Sequence, residues 1–353
     1  FMSKKVLLAM SGGVDSSVSA FLLKEEGYNV IGATIDLLDM SCRIENSQTC
    51  CSISALEDAK DVADRIGIKH YILDCKDDFK KEVINYFLDE YMAGRTPNPC
   101  VVCNSKIKFN ILLKKAQEFG ADYIATGHYA RLEKIDGRFT LRKALDARKD
   151  QSYFLYRLSQ NQLSHSIMPL WEKKKEDVRR IAESLNLKVH NKPDSQEICF
   201  IPDGDYRSFI RKNIPEIEPG IIIDKEGNLL GEHKGIYLYT IGQRKGLGIS
   251  FKKPLYVIGI DRLKKAIIVG EKQESSASLV AKDLNFLGIE TLVSEMKVMA
   301  RIRYQHKETE ATITPLSNNK VNVSFKEPQK AITPGQSVVF YKDDLIIGGG
   351  VIC

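Results

Sequence analysis

The chain has 353 residues, 43% of them hydrophobic, which is more than one typical domain and enough for two or three compact units, each with its own core. No apolar run approaches the roughly 20 residues needed to span a bilayer, and the N-terminus enters a strand-like run rather than a signal-peptide core, so a cytoplasmic protein without a membrane partner is expected. Fifty-two basic against 46 acidic residues give a net charge of +6, an excess that permits a nucleic-acid partner without requiring one.

The apolar run 6–10 reads as a buried strand. It is followed by Ser11-Gly12-Gly13-Val14-Asp15-Ser16-Ser17 and a helix-patterned stretch from Asp15. Strand, tight glycine turn and helix N-terminus together form an anion cradle: glycine lets backbone N–H groups approach a phosphate, and the first helical turn adds free amides and the positive end of its dipole. No Gly-Lys-Ser/Thr follows, which excludes the Walker loop. Asp15 either orients magnesium or caps the helix.

Further strand-like and helix-like stretches alternate at 30–35, 53–66, 70–73 and 78–91, predicting a doubly wound parallel sheet. Pro97 and Pro99 hold the chain extended and bar a helix ahead of Cys100 and Cys103, whose C-x-x-C spacing lets both sulfurs face one site. The helix predicted over 105–119 follows, and its N-terminal field favours a thiolate at Cys103. Alone, such a pair fits zinc, redox chemistry or chance. The strand-like run 121–127 ends at Gly127, where ligands of open α/β sheets gather, and this aims His128 at the site. Lys173, Lys174 and Lys175 read as an exposed helix start. Cys199, in Asp194-Ser195-Gln196-Glu197-Ile198-Cys199-Phe200, closes the same predicted domain.

After about residue 205 short β-like runs appear at 237–241, 255–260, 266–269, 298–302, 311–313, 321–325, 337–341 and 345–347, as in small β domains or barrels. The expected units are 1–205, 206–277 and 278–353, with the second boundary after the polar stretch 271–278. The eight cysteines are too few for a disulfide scaffold. Cys42, Cys50 and Cys51 lie in a polar segment and receive no role, while Cys75 and Cys353 read as packing residues.

The loop from Ser11 resembles that of the N-type ATP pyrophosphatases, which split ATP between its α and β phosphates. With 94–109, 125–129, 149–156, 194–201 and 240–248, nearly the whole chain resembles the tRNA-specific 2-thiouridylases. The resemblance implies a PP-loop ATP-binding domain, a small mostly-β central domain and a C-terminal β-barrel that contacts tRNA. It also implies a reaction in which ATP adenylates O2 of an anticodon wobble uridine and sulfur replaces that oxygen, giving 2-thiouridine, AMP and pyrophosphate.

On this resemblance ATP lies on Ala9, Met10, Ser11, Gly12, Gly13, Val14, Asp15 and Ser16, with Ile35 and Gly127 closing around the adenosine, and Mg2+ accompanies it. Cys199 carries or receives the sulfur, and Cys103 is the nucleophile or disulfide partner. Asn98, Pro99 and Cys100 line the extruded base, and His128, Lys149, Asp150, Gln151, Arg303, Tyr304 and Gln336 face tRNA. Basic side chains at Arg244, Lys245, Lys252, Lys253, Arg301 and Lys307 suit an RNA-docking surface.

Cys100 stands where the better-known branch of the family has aspartate. Two sulfur routes therefore stand side by side: a cysteine persulfide, or a [4Fe-4S] cluster held by Cys100, Cys103 and Cys199. Zinc is a third choice. The sulfur comes from an upstream donor protein or from sulfide. The competing function is another PP-loop adenylating ligase acting on a small molecule, which would leave Cys103 and Cys199 without a task.

Overall fold

The computed structural model describes residues 3–38, 53–194, 198–201, 203–214 and 218–353. Cys42, Cys50, Cys51, Ser195, Gln196 and Glu197 lie outside them.

Three strands open the chain: β1 (Lys5–Ala9), β2 (Asn29–Asp36) and β3 (Lys69–Asp74). Later come β4 (Tyr123–Ala125), a hairpin of β5 (Ala130–Ile135) and β6 (Arg138–Lys143), and the short β7 (Ser166–Ile167). Five of them form a parallel sheet in the order β3-β2-β1-β4-β7. A sheet covered on both faces must send alternate side chains to two cores. β1 does so: Leu7 enters one hydrophobic cluster, while Val6 and Leu8 enter another.

Helices α1 (Val14–Glu25) and α2 (Ile53–Ile66) cover the second cluster with Val14, Val18, Ala59 and Val62. Two composite helices build the first. Helix α3 runs through Lys76–Phe79, a π-wound turn Lys80–Ile84, and Asn85–Met92; α4 runs through Pro99–Val102, a π-wound turn Cys103–Lys108, and Phe109–Glu118. Short helices α5 (Gln160–Ser164), α6 (Lys175–Ser184) and α7 (Tyr206–Asn213) follow.

The prolines do not bar a helix ahead of Cys100, as the sequence suggested; they start one. Pro99 occupies the first turn, where its missing N–H is no loss, and the Asn98 side chain accepts from Val101 N at 3.4 Å. Cys100 and Cys103 therefore lie on the helix itself.

A four-stranded sheet follows, from β8 (Gly220–Ile223), β9 (Leu229–His233), β10 (Tyr256–Asp261) and β11 (Ala266–Gly270), in the order β10-β11-β8-β9. The expected β run at 237–241 is instead a 3-10 turn at Ile236–Leu238. Burial of Ile236 and Leu238 satisfies its apolar pattern, and Tyr206 Oη donates to Leu238 O at 3.2 Å in place of a strand ladder.

The last unit is a closed barrel of β12 (Ser275–Phe286), β13 (Met296–Arg301), β14 (Thr309–Leu316), β15 (Lys320–Lys330), β16 (Ser337–Lys342) and β17 (Leu345–Ile352). Its ring order is β12-β15-β14-β13-β16-β17, and β17 returns to β12 with Ala281 opposite Ile352. The hairpin β5–β6 extends this sheet through Leu345 opposite Arg142, so the first unit is laced into the last. No helix among the described residues is long and apolar enough to cross a membrane.

Asn285 on β12 donates through Nδ2 to Tyr156 O at 2.6 Å and to Leu158 O at 3.1 Å. Asn285→Ala strips both carbonyls of their partner and should cost about 2 kcal/mol, read as a lower urea midpoint at unchanged m.

Candidate functional site

The strand order reverses between β1 and β4, so the loops leaving those two strands diverge around one crevice. From β1 comes the stretch Ser11–Ser17, in which Gly12 takes a left-handed φ of +65°. Gly13 is the N-cap of α1 and has no side chain to fill the cap, so the helix opens onto the crevice. The loop is fixed from within: Ser11 N donates to Ser16 Oγ at 3.2 Å, and the hydroxyls of Ser16 and Ser17 donate to Gly13 O at 3.1 and 2.8 Å. From β4 comes Gly127, where a methyl group would lie 2.9 Å from Ser16 N. That approach brings the two loops together.

Asp15 neither caps the helix nor stands open to a metal. Both carboxylate oxygens accept from Lys175 Nζ, at 2.8 and 2.7 Å, and Oδ1 accepts from Tyr129 Oη at 2.8 Å. Lys175 is only 6% exposed, not the surface residue its sequence neighbourhood suggested. Its ammonium also pairs with Asp194 Oδ1 at 2.7 Å. Asp194 Oδ2 accepts from Lys149 Nζ at 2.6 Å, and Arg179 lies 3.6 Å from Oδ1. Burial raises the Asp194 pKa, but the hydrogen bonds from Lys149 and Lys175 outweigh it and hold the carboxyl below its ordinary value. Lys192 Nζ closes the rim, donating to Gly12 O at 3.0 Å and to Asp58 at 2.7 Å.

Cys103 is 7% exposed and Cys100 is exposed. Cys199 sits in a tight turn closed by Ile201 N donating to Ile198 O at 2.8 Å. Its neighbour Phe200 packs edge-on against Phe87 and Phe79 of α3 at 5.3 and 5.7 Å. Cys103 belongs to that same hydrophobic cluster and Cys199 packs against it. Among the described residues no three His, Cys, Asp or Glu side chains group to hold a metal. A cluster or zinc site of Cys100, Cys103 and Cys199 is therefore not shown among the described residues, and Cys42, Cys50 and Cys51, the further zinc ligands considered, lie outside them. Asp15, held by Lys175, does not fit a magnesium ligand as it stands.

The π-wound turn after Cys103 has a support. Gln162 Nε2 donates to Ser105 O at 2.8 Å, Ser105 Oγ bonds back to Val101 O and Val102 O at 3.2 Å, and Asn104 Nδ2 reaches Phe154 O at 3.3 Å.

Asp150 is 3% exposed. Its carboxylate accepts from Ala144 N, Ser152 N and Ser152 Oγ, and burial raises its pKa against those bonds. Gln151 Oε1 accepts from Tyr129 N at 3.0 Å. Both side chains therefore shape the 149–152 turn, and Lys149 reaches Asp194. Arg303 donates to Lys330 O and Ala331 O at 2.8 Å, and Tyr304 tilts against Phe154 with centroids 4.5 Å apart. Gln336 Nε2 donates to Thr96 O and Pro97 O, both at 3.0 Å. Arg244, Lys245, Lys252, Lys253 and Lys307 are exposed, whereas Arg301 is paired with Glu308 at 2.6 Å. His128 Nδ1 lies 2.9 Å from Thr126 Oγ1, and the ring meets Phe109 at 5.8 Å; burial, with a smaller push from the Lys108 charge, brings its pKa down to about 3.

Sequence reasoning missed Lys175, Tyr129, Arg179 and Lys192. Tyr129 stood inside a stretch already singled out, and a lysine aligned with helix-face apolar residues Val178 and Ala182 was a signal for Lys175.

A parallel sheet whose first loop is an uncapped, serine-lined anion cradle at the switch point defines a PP-loop nucleotide-binding protein. Family models match in series: the tRNA methyl transferase HUP domain over residues 4–203, the tRNA methyl transferase PRC-barrel domain over 207–271, and the aminomethyltransferase beta-barrel domain over 276–352. The chain is 54% identical over 354 residues to the tRNA-specific 2-thiouridylase MnmA of Clostridium kluyveri, covering 99% of each chain. It is 52% identical over 352 residues to that of Clostridium perfringens, covering 99% of this chain and 98% of the relative. The chain belongs to the tRNA-specific 2-thiouridylase family.

Two outcomes test the site. Lys175→Met leaves Asp15 and Asp194 without their shared cation and should cost about 2 kcal/mol in urea unfolding, less than for a fully buried pair because both carboxylates retain some solvent. His128 has a folded pKa below its ordinary 6.5, so the unfolded chain takes up the proton first and stability falls as pH drops from 6.5 towards about 3. His128→Gln should flatten the decline of Tm between pH 7 and 4; an unchanged slope refutes the assignment.

Proposed function

We propose that this chain catalyses ATP-dependent 2-thiolation of a tRNA wobble uridine by the persulfide route. ATP binds across Ala9–Ser16, Ile35 and Gly127, with its triphosphate at the uncapped start of α1 and its magnesium carried on the phosphates. The uridine O2 attacks the α-phosphorus and pyrophosphate leaves, giving an O2-adenylate. The outer sulfur of a Cys199 persulfide then attacks C2, and AMP departs with the oxygen. The Cys103 thiolate attacks Sγ of Cys199, forming a 103–199 disulfide and freeing 2-thiouridine, and two electrons from an external dithiol reopen the disulfide.

What carries this reading is the ionic chain Asp15–Lys175–Asp194–Lys149. It ties the nucleotide loop both to the segment that leads to Cys199 and to the 149–151 turn. Burial of Cys103 in the hydrophobic cluster that Cys199 borders supports this pairing. Asn98, Pro99 and Cys100 receive the extruded base, and Lys149, His128, Arg303 and Tyr304 form the tRNA edge, with Asp150 and Gln151 holding its turn, while the Gln336 amide is taken up by the Thr96 and Pro97 carbonyls. The three units 1–205, 206–277 and 278–353 divide nucleotide chemistry, linkage and RNA contact among them. A donor protein's persulfide passes its outer sulfur to the Cys199 thiolate and leaves as a thiolate, or free sulfide attacks Sγ of Cys199 in the 103–199 disulfide, giving the Cys199 persulfide and releasing the Cys103 thiolate.

Purified protein, ATP-magnesium, unmodified tRNA and a persulfide donor should yield 2-thiouridine by nucleoside mass spectrometry. Cys199→Ser should abolish it while tRNA-dependent pyrophosphate release continues. An iron-free anaerobic preparation should be fully active. Thiolation by Cys199→Ser at the wild-type rate overturns the proposal, as does activity that tracks iron content.

A further inference from the structure

Of the places where the barrel meets the first unit, the turn 333–337 between β15 and β16 lands on the backbone that leads into the thiol-bearing helix. Thr96 N donates to Pro334 O at 2.8 Å, and Gln336 Nε2 donates to the carbonyls of both Thr96 and Pro97 at 3.0 Å. Gly335, with φ +90°, lies so close that a methyl group there would stand 2.8–3.0 Å from O, C and N of Thr96. The stretch it holds has little structure of its own, because Pro97 and Pro99 have no N–H to give to a ladder or a helix.

The turn itself is firmly set. Gln336 N donates to Thr333 O, Gly335 N to Ile352 O and Ile352 N to Gln336 O, at 3.2, 2.9 and 2.8 Å. On its other side Ser337 O accepts from Tyr153 Oη at 2.9 Å, and Ser337 Oγ meets Tyr156 Oη at 3.2 Å. One rigid turn of the barrel therefore grips both the 96–97 approach to Cys100 and Cys103 and the aromatic segment that follows the 149–151 turn.

We propose that Gln336 is a positioning residue for the thiol segment: the last unit fixes where α4 begins, and with it the placement of Cys103, before any RNA is bound. This deepens the sulfur-transfer reading and rests on it. It differs from an RNA-contact role for Gln336 because it acts through the 96–97 carbonyls and operates in the free protein.

The test is therefore first made without RNA. In Gln336→Ala and Gln336→Glu, alkylation of Cys103 by iodoacetamide, followed on its own peptide by mass spectrometry, and hydrogen exchange over 98–103 should both change severalfold. The isosteric glutamate loses the donor but keeps the shape, and at low pH, where its carboxyl is protonated and can donate again, hydrogen exchange over 98–103 should return part of the way to that of the wild type at the same pH. With tRNA and ATP, kcat for thiolation should fall about tenfold while KM for tRNA stays within about twofold, since a small displacement of a reacting group suffices. Val323→Ala, in the barrel core, should lower Tm without altering Cys103 alkylation. If alkylation and exchange at 98–103 are unchanged in Gln336→Ala and only KM for tRNA rises, the positioning role is overturned. If alkylation changes but kcat does not, the clamp stands and the assignment of Cys103 to sulfur transfer is what fails.

Discussion

A buried ammonium between two carboxylates is the interaction on which the site depends. Lys175 Nζ touches Asp15 at the start of α1 and Asp194 at the head of the segment that carries Cys199. The two acids are far apart in sequence and would repel each other at this distance without a cation between them. A single charge so placed fixes the register of two loops at once, and removing it leaves like charges facing each other in a partly dry crevice. Lys149, Arg179 and Lys192 then give the crevice a cationic rim, suited to a polyphosphate whose own charge would otherwise oppose entry.

Thiol chemistry imposes a different constraint. On the sulfur-transfer reading proposed above, the Cys103 thiol has to be held on a rigid element, and α4 begins at a proline and then widens into a π-wound turn at Cys103. Widening frees backbone carbonyls, which would weaken the helix where precision matters, yet Gln162 takes the Ser105 carbonyl and Ser105 itself bonds backwards. The irregularity is thereby paid for locally, by side chains of the same unit. What those side chains do not supply is a hold on the proline-rich approach, and that comes from the barrel.

Much of this was legible in the chain. The strand–loop–helix at Ser11–Ser17, the parallel sheet, the helices over 78–91 and 105–119 and the late β units follow from apolar period and glycine placement, signals that are local. The prolines misled because proline has two opposite meanings at a helix boundary, and only the Asn98 cap decides between them. The run at 237–241 misled because burial of apolar residues can be achieved by a turn as well as a strand. The 271–278 stretch looked like a linker because the first four residues of β12, Ser275, Ser276, Ala277 and Ser278, are all exposed, while Leu279 and Ala281 enter the core only further on. Lys175 was hidden for a more general reason: its partners are 160 residues before it and 19 after it, and no window of sequence shows a charge pair that the topology creates.

The same reasoning explains why the three units are not strung loosely. Hairpin β5–β6 joins the barrel sheet, Asn285 caps two carbonyls of the 156–158 stretch, and the 333–337 turn holds residues 96 and 97. Each contact satisfies backbone groups that the first unit leaves open, so that unit is incomplete without the last one. An enzyme assembled this way keeps its barrel in fixed register with the unit that carries the nucleotide loop. The parallel sheet that carries the nucleotide loop and the barrel are thus held to each other by packing that spans the chain.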